Sequence, residues 1–433
     1  MKQRWVVLML IACLLAGCAC SKTRSDQKAE IPSDTDEAAT EAALSTANTG
    51  WEAAAPAIQE QMDLPEAYQF SASELNGRLT ISVNAPVRAP DVPRMPVVRV
   101  KKAAFSQERI LAIVQFLFAG DSLYDYTKPD EPAFDGQLRP FFNEDGSDSG
   151  FLRLAIGNRK TTEQGSAEQL KNLSAWVPAT EEAFLASEND FISYTVYSSH
   201  SSALSSNDDE TQDADAASAS FQAAKAQADA FFEALGLSDT YRLGYASEVK
   251  GTSAYHLYYT AYVDGIETYV SKDALDRTDD DAYPARWGYE TILLAADQEG
   301  IRFLHWNNPM TVGATVNEEA DLLPFADIQA RFEKEARNEY IEVMNLYGGT
   351  KGSMEITVDD VRLCLLRVRD GGPNVPEGTL VPAWVFYGHN RIEFSDGVVR
   401  YNFFAGSGST VPKDPYPVLI LNAADGTIIN LQE

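Results

Sequence analysis

The chain has 433 residues, 45% of them hydrophobic, with 64 acidic against 35 basic side chains and a formal net charge of −29. Apolar content of that order supports a real core, and the length allows two or three domains. So acidic a surface repels nucleic acid and anionic headgroups, which argues against DNA, RNA or bare lipid as partners.

The amino terminus opens with Lys2 and Arg4, followed by an apolar run over residues 5–15. A membrane-spanning helix needs about 20 apolar residues, so this run has the length of a signal peptide instead. It ends in Leu15-Ala16-Gly17-Cys18, which resembles a lipobox. Small residues before the cysteine let the chain enter a peptidase in extended form, and the thiol receives the lipid. The resemblance implies a signal peptide over 1–17, cleavage before Cys18, and a lipid-anchored protein on the outer face of the cytoplasmic membrane. Cys13 leaves with the leader, so Cys20 and Cys364 are the only unacylated cysteines left, and no disulfide framework is expected. Cys364, in VRLCLLRV, shares a strand face with Leu366 and Val368 and reads as a small core residue.

Residues 18–60 are mostly Ala, Ser, Thr, Asp and Glu, too poor in apolar surface to offset ordering entropy. They are expected to form a disordered tether, a coil of about 35 Å mean span. An N-terminal α+β domain is expected over 61–197. Residues 78–83 alternate as a half-buried strand, and 85–96 carry Pro86, Pro90, Pro93 and Pro96, which predicts an extended connector. Another strand is expected over 97–101. Ser106 is placed as a helix N-cap with Glu108 in the first turn, and Ile110, Ile113, Val114 and Leu117 line the apolar face up to Gly120. Strands at 151–156 and 191–197 and a helix at 167–176 complete this region. The Ser- and Asp-rich run 198–218 predicts a linker.

Residues 219–433 look duplicated, with repeat 1 over 219–320 and repeat 2 over 321–433. Each opens with an amphipathic helix: Phe221, Ala224, Ala228, Phe231 and Phe232 line the first, and Phe325, Ile328, Phe332, Ala336 and Tyr340 the second. Each continues into strands and reaches a hairpin of like character, ILLAADQEGIRFL and VLILNAADGTIINL. This helix-then-strands unit resembles PepSY-type modules of extracytoplasmic proteins, and LVPAWVFYG with the closing LILNAADGTII resembles uncharacterised lipoproteins of Gram-positive gut bacteria. The resemblance implies an α+β fold of two helix-plus-antiparallel-sheet repeats after the N-terminal domain. It also implies inhibition of secreted peptidases or envelope regulation, with no catalytic residues carried over.

Reactive chemistry finds little purchase. His200, His256, His305 and His389 are spaced neither as HExxH nor as any ligand pair, and no CxxC occurs, so no metal is expected. GSDSG has Asp148 where a nucleophile elbow needs serine, and no phosphate-binding glycine loop is present, so no cofactor is expected. Acidic loops at 143–148 and 279–281 lack EF-hand spacing. A carboxylate pair of the glycosidase kind carries no mark in sequence. The one candidate binding face lies on the aromatic strand at 255–263. Tyr255, Leu257, Tyr259 and Val263 are expected to point inward, and His256, Tyr258 and Tyr262 outward, offering flat amphipathic area. The expected function is a non-enzymatic envelope lipoprotein that binds a protein or peptide. A lipoprotein capturing a small ligand or glycan, or an unmarked hydrolase, are the alternatives.

Overall fold

The computed structural model describes residues 56–119, 121–125, 133–142, 148–157, 182–187, 191–196, 211–270, 288–348, 352–371, 375–402 and 415–431, all within one unit, Ala54–Glu433. The fold is α+β, mostly strand, and is built from two sheets. A short helix α1 (Ile58–Gln61) leads into β1 (Ala67–Glu74) and β2 (Leu79–Arg88), an antiparallel hairpin. Asn76 and Gly77 supply the positive φ that its turn requires. Along β2, Leu79, Ile81, Val83, Ala85 and Val87 are buried while Thr80, Ser82, Asn84, Pro86 and Arg88 are exposed, the two-residue period of a strand with one wet face. β3 (Val97–Lys102) follows.

From Lys102 the chain leaves this sheet, and it returns at β15 (Met310–Asn317), which runs antiparallel beside β3. Ala103 N donates to Pro309 O at 2.8 Å, so departure and return are adjacent. Residues 104–308 are therefore an insert between two paired strands. The insert contains α2 (Gln107–Leu117), β4 (Tyr124–Asp125), β5 (Arg139–Phe142), β6 (Asp148–Gly157), β7 (Glu182–Ser187), β8 (Phe191–Val196), β9 (Thr211–Asp213) and α3 (Ala219–Ala234). It continues through β10 (Tyr241–Val249), β11 (Tyr255–Val263), β12 (Ile266–Glu267), β13 (Thr291–Asp297) and β14 (Gly300–Asn307). Its sheet runs in the order β4-β6-β7-β8-β14-β13-β11-β10-β9. Ser106 and Ser218 cap α2 and α3 with their side-chain oxygens. Both helices press apolar faces onto one side of that sheet, where Phe231, Phe232, Leu257, Leu294 and Trp306 are buried.

The chain then forms α4 (Phe325–Val343), β16 (Ser353–Arg369), β17 (Glu377–Glu393), β18 (Val399–Tyr401) and β19 (Tyr416–Asn422). β17 pairs β16 along one edge and, along the other, β3, β19 and β18 in turn. β16 takes β2 as a parallel neighbour, so strands from the two ends of the described chain close a single sheet. α4 covers its inner face, stacking Phe332 on Phe386 with ring centroids 4.2 Å apart and Phe325 against Trp384 at 4.6 Å.

Several expected boundaries need correction. Residues 61–197 are not one domain, because β2, with β1 beside it, pairs with β16, and β3 pairs with β17 and β15, while α2 and the strands after it build the insert. The first repeat does not reach residue 320, since β15 belongs to the other sheet. The folded part begins earlier than the tether boundary at 60 suggested: Ile58 is buried in the core. The 198–218 linker ends in structure, with β9 paired to β10 and Ser218 capping α3, and residues 198–210 lie outside the described residues. The connector predicted over 85–96 is strand as far as Arg88. Pro86 is tolerated there because the β2–β16 register shifts between Val358 and Val361, where a donor is not called for. Cys18, the helix at 167–176, His200 and the acidic residues 143–147 and 279–281 lie outside the described residues.

The two stretches expected to be repeats share part of their order of elements. α3 is followed by the antiparallel series β10, β11, β13, β14, and α4 by β16, β17, β19. The hairpin at residues 292–304 closes as a paired strand, whereas the later one returns through a single bridge, Leu421 to Ile428.

Candidate functional site

β11 presents its two faces as the alternation predicts, but the second face is not exposed. Tyr255, Leu257 and Tyr259 sit under α3, and Val263 reaches the core of the other sheet. His256 and Tyr258 are 7% and 4% exposed, in a second buried layer where Tyr258 packs with Val270, Leu293 and Phe303. His305 is also buried there. Tyr262 is half-buried with the Arg242 guanidinium 4.8 Å from its ring centre; burial and the neighbouring Glu267 push its hydroxyl up to about 12. The expected outward binding face is thus corrected: His256 and Tyr258 are core, and Tyr262 is a flank.

The exposed sheet face lies elsewhere, on the side of β1, β2, β16 and β17 opposite α4. Registers align its side chains in rows across the strands. One row runs Ser71, Ser82, Thr357, His389 and the next Ser73, Thr80, Glu355, Arg391, Tyr401. Gln69 and Asn84 stand opposite one another above them. Neighbouring strands are about 4.8 Å apart and same-face residues about 7 Å along each strand, so the face is a regular lattice of short polar groups. Ser71, Ser73, Thr80, Ser82, Asn84, Glu355 and Thr357 are all exposed. At one edge His389 Nε2 lies 3.2 Å from Asp359 Oδ2. Asp359 is the extra residue of a β-bulge between Val358 and Asp360, which aims it toward His389. Gly388 stands opposite, and a Cβ there would fall 1.8 Å from Thr357 O, so only glycine permits this approach. The arrangement supplies many hydrogen-bond donors and acceptors on a flat surface.

The remainder of that face is covered by the insert. The chain after β12 crosses it: Tyr269 N donates to Leu365 O at 2.8 Å, and Tyr387 Oη to Val270 O at 3.3 Å. Two buried arginines of β16 hold this seam, each gripping a carbonyl of the insert. Arg362 Nη1 donates to Gly244 O at 2.7 Å and to Glu267 Oε1 at 3.1 Å, while its Nε bonds Asp360. Burial works against the Arg362 charge, but Glu267 and Asp360 more than restore it. Arg367 Nη2 donates to Gly288 O at 2.8 Å, and the Tyr289 hydroxyl returns a bond to Arg367 O at 3.0 Å. Burial pulls Arg367 down to about 10.

Next to that clamp, Glu290 is partly buried, with its carboxyl oxygen Oε2 shut off from solvent. Its Oε1 accepts from Tyr241 Oη at 2.8 Å and Trp306 Nε1 at 3.0 Å, while Oε2 has no hydrogen-bond partner among the described residues. Burial raises its carboxyl to about 7, against the opposing pull of the two donors and of Arg367. Sequence reasoning missed Glu290, Arg362 and Arg367; a charged residue inside an apolar strand, as in VRLCLLRV, was the available signal for the arginines. Among the described residues, no three His, Cys, Asp or Glu side chains lie close enough to hold a metal ion. No described helix is long and apolar enough to cross a membrane.

No family model matches the chain, and no curated protein matches it. Among solved structures it is similar to the crystal structure of an uncharacterized protein from Eubacterium rectale ATCC 33656, with a TM-score of 0.49 and 14% sequence identity, over 85% of this chain and 94% of that one.

Proposed function

We propose that the chain is a membrane-anchored extracytoplasmic lipoprotein, held by lipid on Cys18, that binds an envelope protein or peptide without chemically altering it. The observation that carries the binding role is the uncovered polar face across β1, β2, β16 and β17. Macromolecular partners dock on broad, shallow surfaces, whereas small ligands are enclosed in concave ones. The address rests on Leu15-Ala16-Gly17-Cys18 behind a short apolar run. The twice-repeated order of helix and antiparallel strands supports a relation to PepSY-type modules. A second reading, glycan capture, is favoured by one feature: the rows of serine and threonine hydroxyls match the hydrogen-bonding demands of sugars.

A photo-crosslinking side chain placed at Ser82 or Thr357 in living cells tests the binding role. A discrete protein adduct is expected at both positions and not from a probe at exposed Gln222 on α3. Recovery of no protein adduct, together with a sugar-dependent rise in melting temperature, would replace this reading with glycan capture. For the address, Cys18→Ala should move the protein from the membrane fraction to the soluble one; retention on membranes would refute the lipid anchor.

A further inference from the structure

We propose that the seam between the insert and the parent sheet is a proton-operated latch, in which neutral Glu290 keeps the Gly288–Tyr289 strap clamped on Arg367 and loss of its proton favours release of the strap. Three features of the geometry converge on this residue. Glu290 is the residue directly after the strap, so movement of the carboxyl toward water and movement of Tyr289 are covalently coupled. One carboxyl oxygen has two donors and the other has none, in a site walled by Tyr241, Trp306 and Phe232. A neutral acid fits that site, because an anionic Oε2 without a partner bears the full desolvation cost of a buried charge. Among the described residues the clamp includes the Arg367 to Gly288 bond, the Tyr289 to Arg367 bond, an Asn308 to Tyr289 O bond at 3.4 Å and the guanidinium stacked 4.8 Å over the Tyr289 ring.

The charged and titratable groups around Glu290 come from several elements. Tyr241 of β10 and Trp306 of β14 donate to it, and Arg367 of β16 attracts its anion. Arg109 of α2 acts on Tyr241, and Tyr289 and Arg369 adjoin Arg367. Together they leave the carboxyl at about 7 in the closed seam, against 4.5 in water. A raised carboxyl pKa makes closure strongest below about 4.5, and that contribution is lost as pH rises toward 7. Within this window each pH unit multiplies the opening constant by about ten, and above 7 it levels.

Hydrogen–deuterium exchange of the mature chain, followed by mass spectrometry and corrected for intrinsic rates, reads this directly. Amides in residues 288–297 and 360–369 are expected to open about fortyfold more readily at pH 7 than at pH 5, with only about a further twofold rise to pH 8.5. Glu290→Gln, which mimics the neutral acid, should abolish that dependence while keeping the protection seen at pH 5. Trp306→Phe removes a donor to the anion and should move the plateau above pH 7; it serves as the test if the glutamine variant fails to fold. A wild-type seam whose opening is independent of pH, an unchanged slope in Glu290→Gln, or an unmoved plateau in Trp306→Phe would overturn the latch.

Discussion

Replacing Arg362 by methionine keeps the aliphatic stem but removes the buried cation that joins β16 to the insert. Its guanidinium binds Gly244 O, Glu267 and Asp360 and lies 5.7 Å from the Tyr387 ring centre, with only 11% of the side chain exposed. Removing one partner of a buried ion pair costs about 3–5 kcal/mol, because the surviving charge is left without compensation. Here two carboxylates survive. Asp360 keeps Arg88 at 3.5 Å, an exposed arginine, whereas Glu267 has 20% of its side chain exposed and, among the described residues, no other hydrogen-bonding cation. The lower half of the range, about 3 kcal/mol, is therefore expected at pH 8, read as a shift in the urea midpoint with the slope unchanged. The sign of its pH dependence follows from Glu267. Burial already raises that carboxyl and Arg362 opposes the rise, so the variant raises it further. A neutral Glu267 tolerates burial, so the deficit should shrink as pH falls toward 5 and grow as pH climbs through the raised value. Combining Arg362→Met with Glu267→Gln should recover most of the loss at pH 8. A deficit under about 1 kcal/mol, or one that does not change with pH, would show that the seam is held by apolar packing alone.

Other consequences are open to the same kind of measurement. Gly388→Ala forces a methyl onto the Thr357 carbonyl and should abolish the bulge or unfold the sheet, a loss of at least about 3 kcal/mol by chemical denaturation; a neutral substitution would contradict the close approach. Phe332→Ala removes a ring with no exposed surface that packs on Phe386 and should cost about 3–5 kcal/mol, against under about 0.5 for Lys334→Ala on the outer side of the same helix. Cys364 is buried and burial pushes its thiol up, so thiol reagents should label it at pH 8 only after denaturant is added; labelling of the native protein would refute its core position.

Local pattern carried what local physics controls. The alternation along β2, the serine cap at Ser106 and the apolar stripe of α4 were all legible, because each is written within a few residues of itself. Sheet membership was not. β2 pairs in parallel with β16, with Ser82 beside Thr357, and nothing near residue 82 encodes which distant strand completes its hydrogen bonds. The same limit explains the reversal on β11. Alternation showed that His256 and Tyr258 share a face but not that Val270 and Phe303 pack with Tyr258 there. Conversely, residues 78–83 read only as a half-buried strand, and β1 was not predicted beside it. Their polar face became a candidate surface only when His389, Arg391, Glu355 and Thr357 arrived from the other end of the chain to extend its rows.

The insertion itself explains why charge is spent on the seam. An insert joined at one place, where Ala103 meets Pro309, is free to pivot about that point unless contacts far from it fix the angle. Apolar contacts alone are non-directional and tolerate sliding. Arg362 and Arg367 are five residues apart on β16 and seize carbonyls at Gly244 and Gly288, two positions widely separated along the insert, which sets its orientation by two directional bonds. Their strengths differ in a way that gives the seam a weaker end. Arg362 faces two carboxylates and keeps its charge firmly, whereas burial draws Arg367 below its ordinary value, against the opposing pull of Tyr289 and Glu290. Release should therefore start at Gly288–Tyr289 and leave the Glu267 end closed. Exchange protection at residues 266–270 should persist under conditions where residues 288–292 have lost theirs; simultaneous loss at both would mean that the seam parts as one unit.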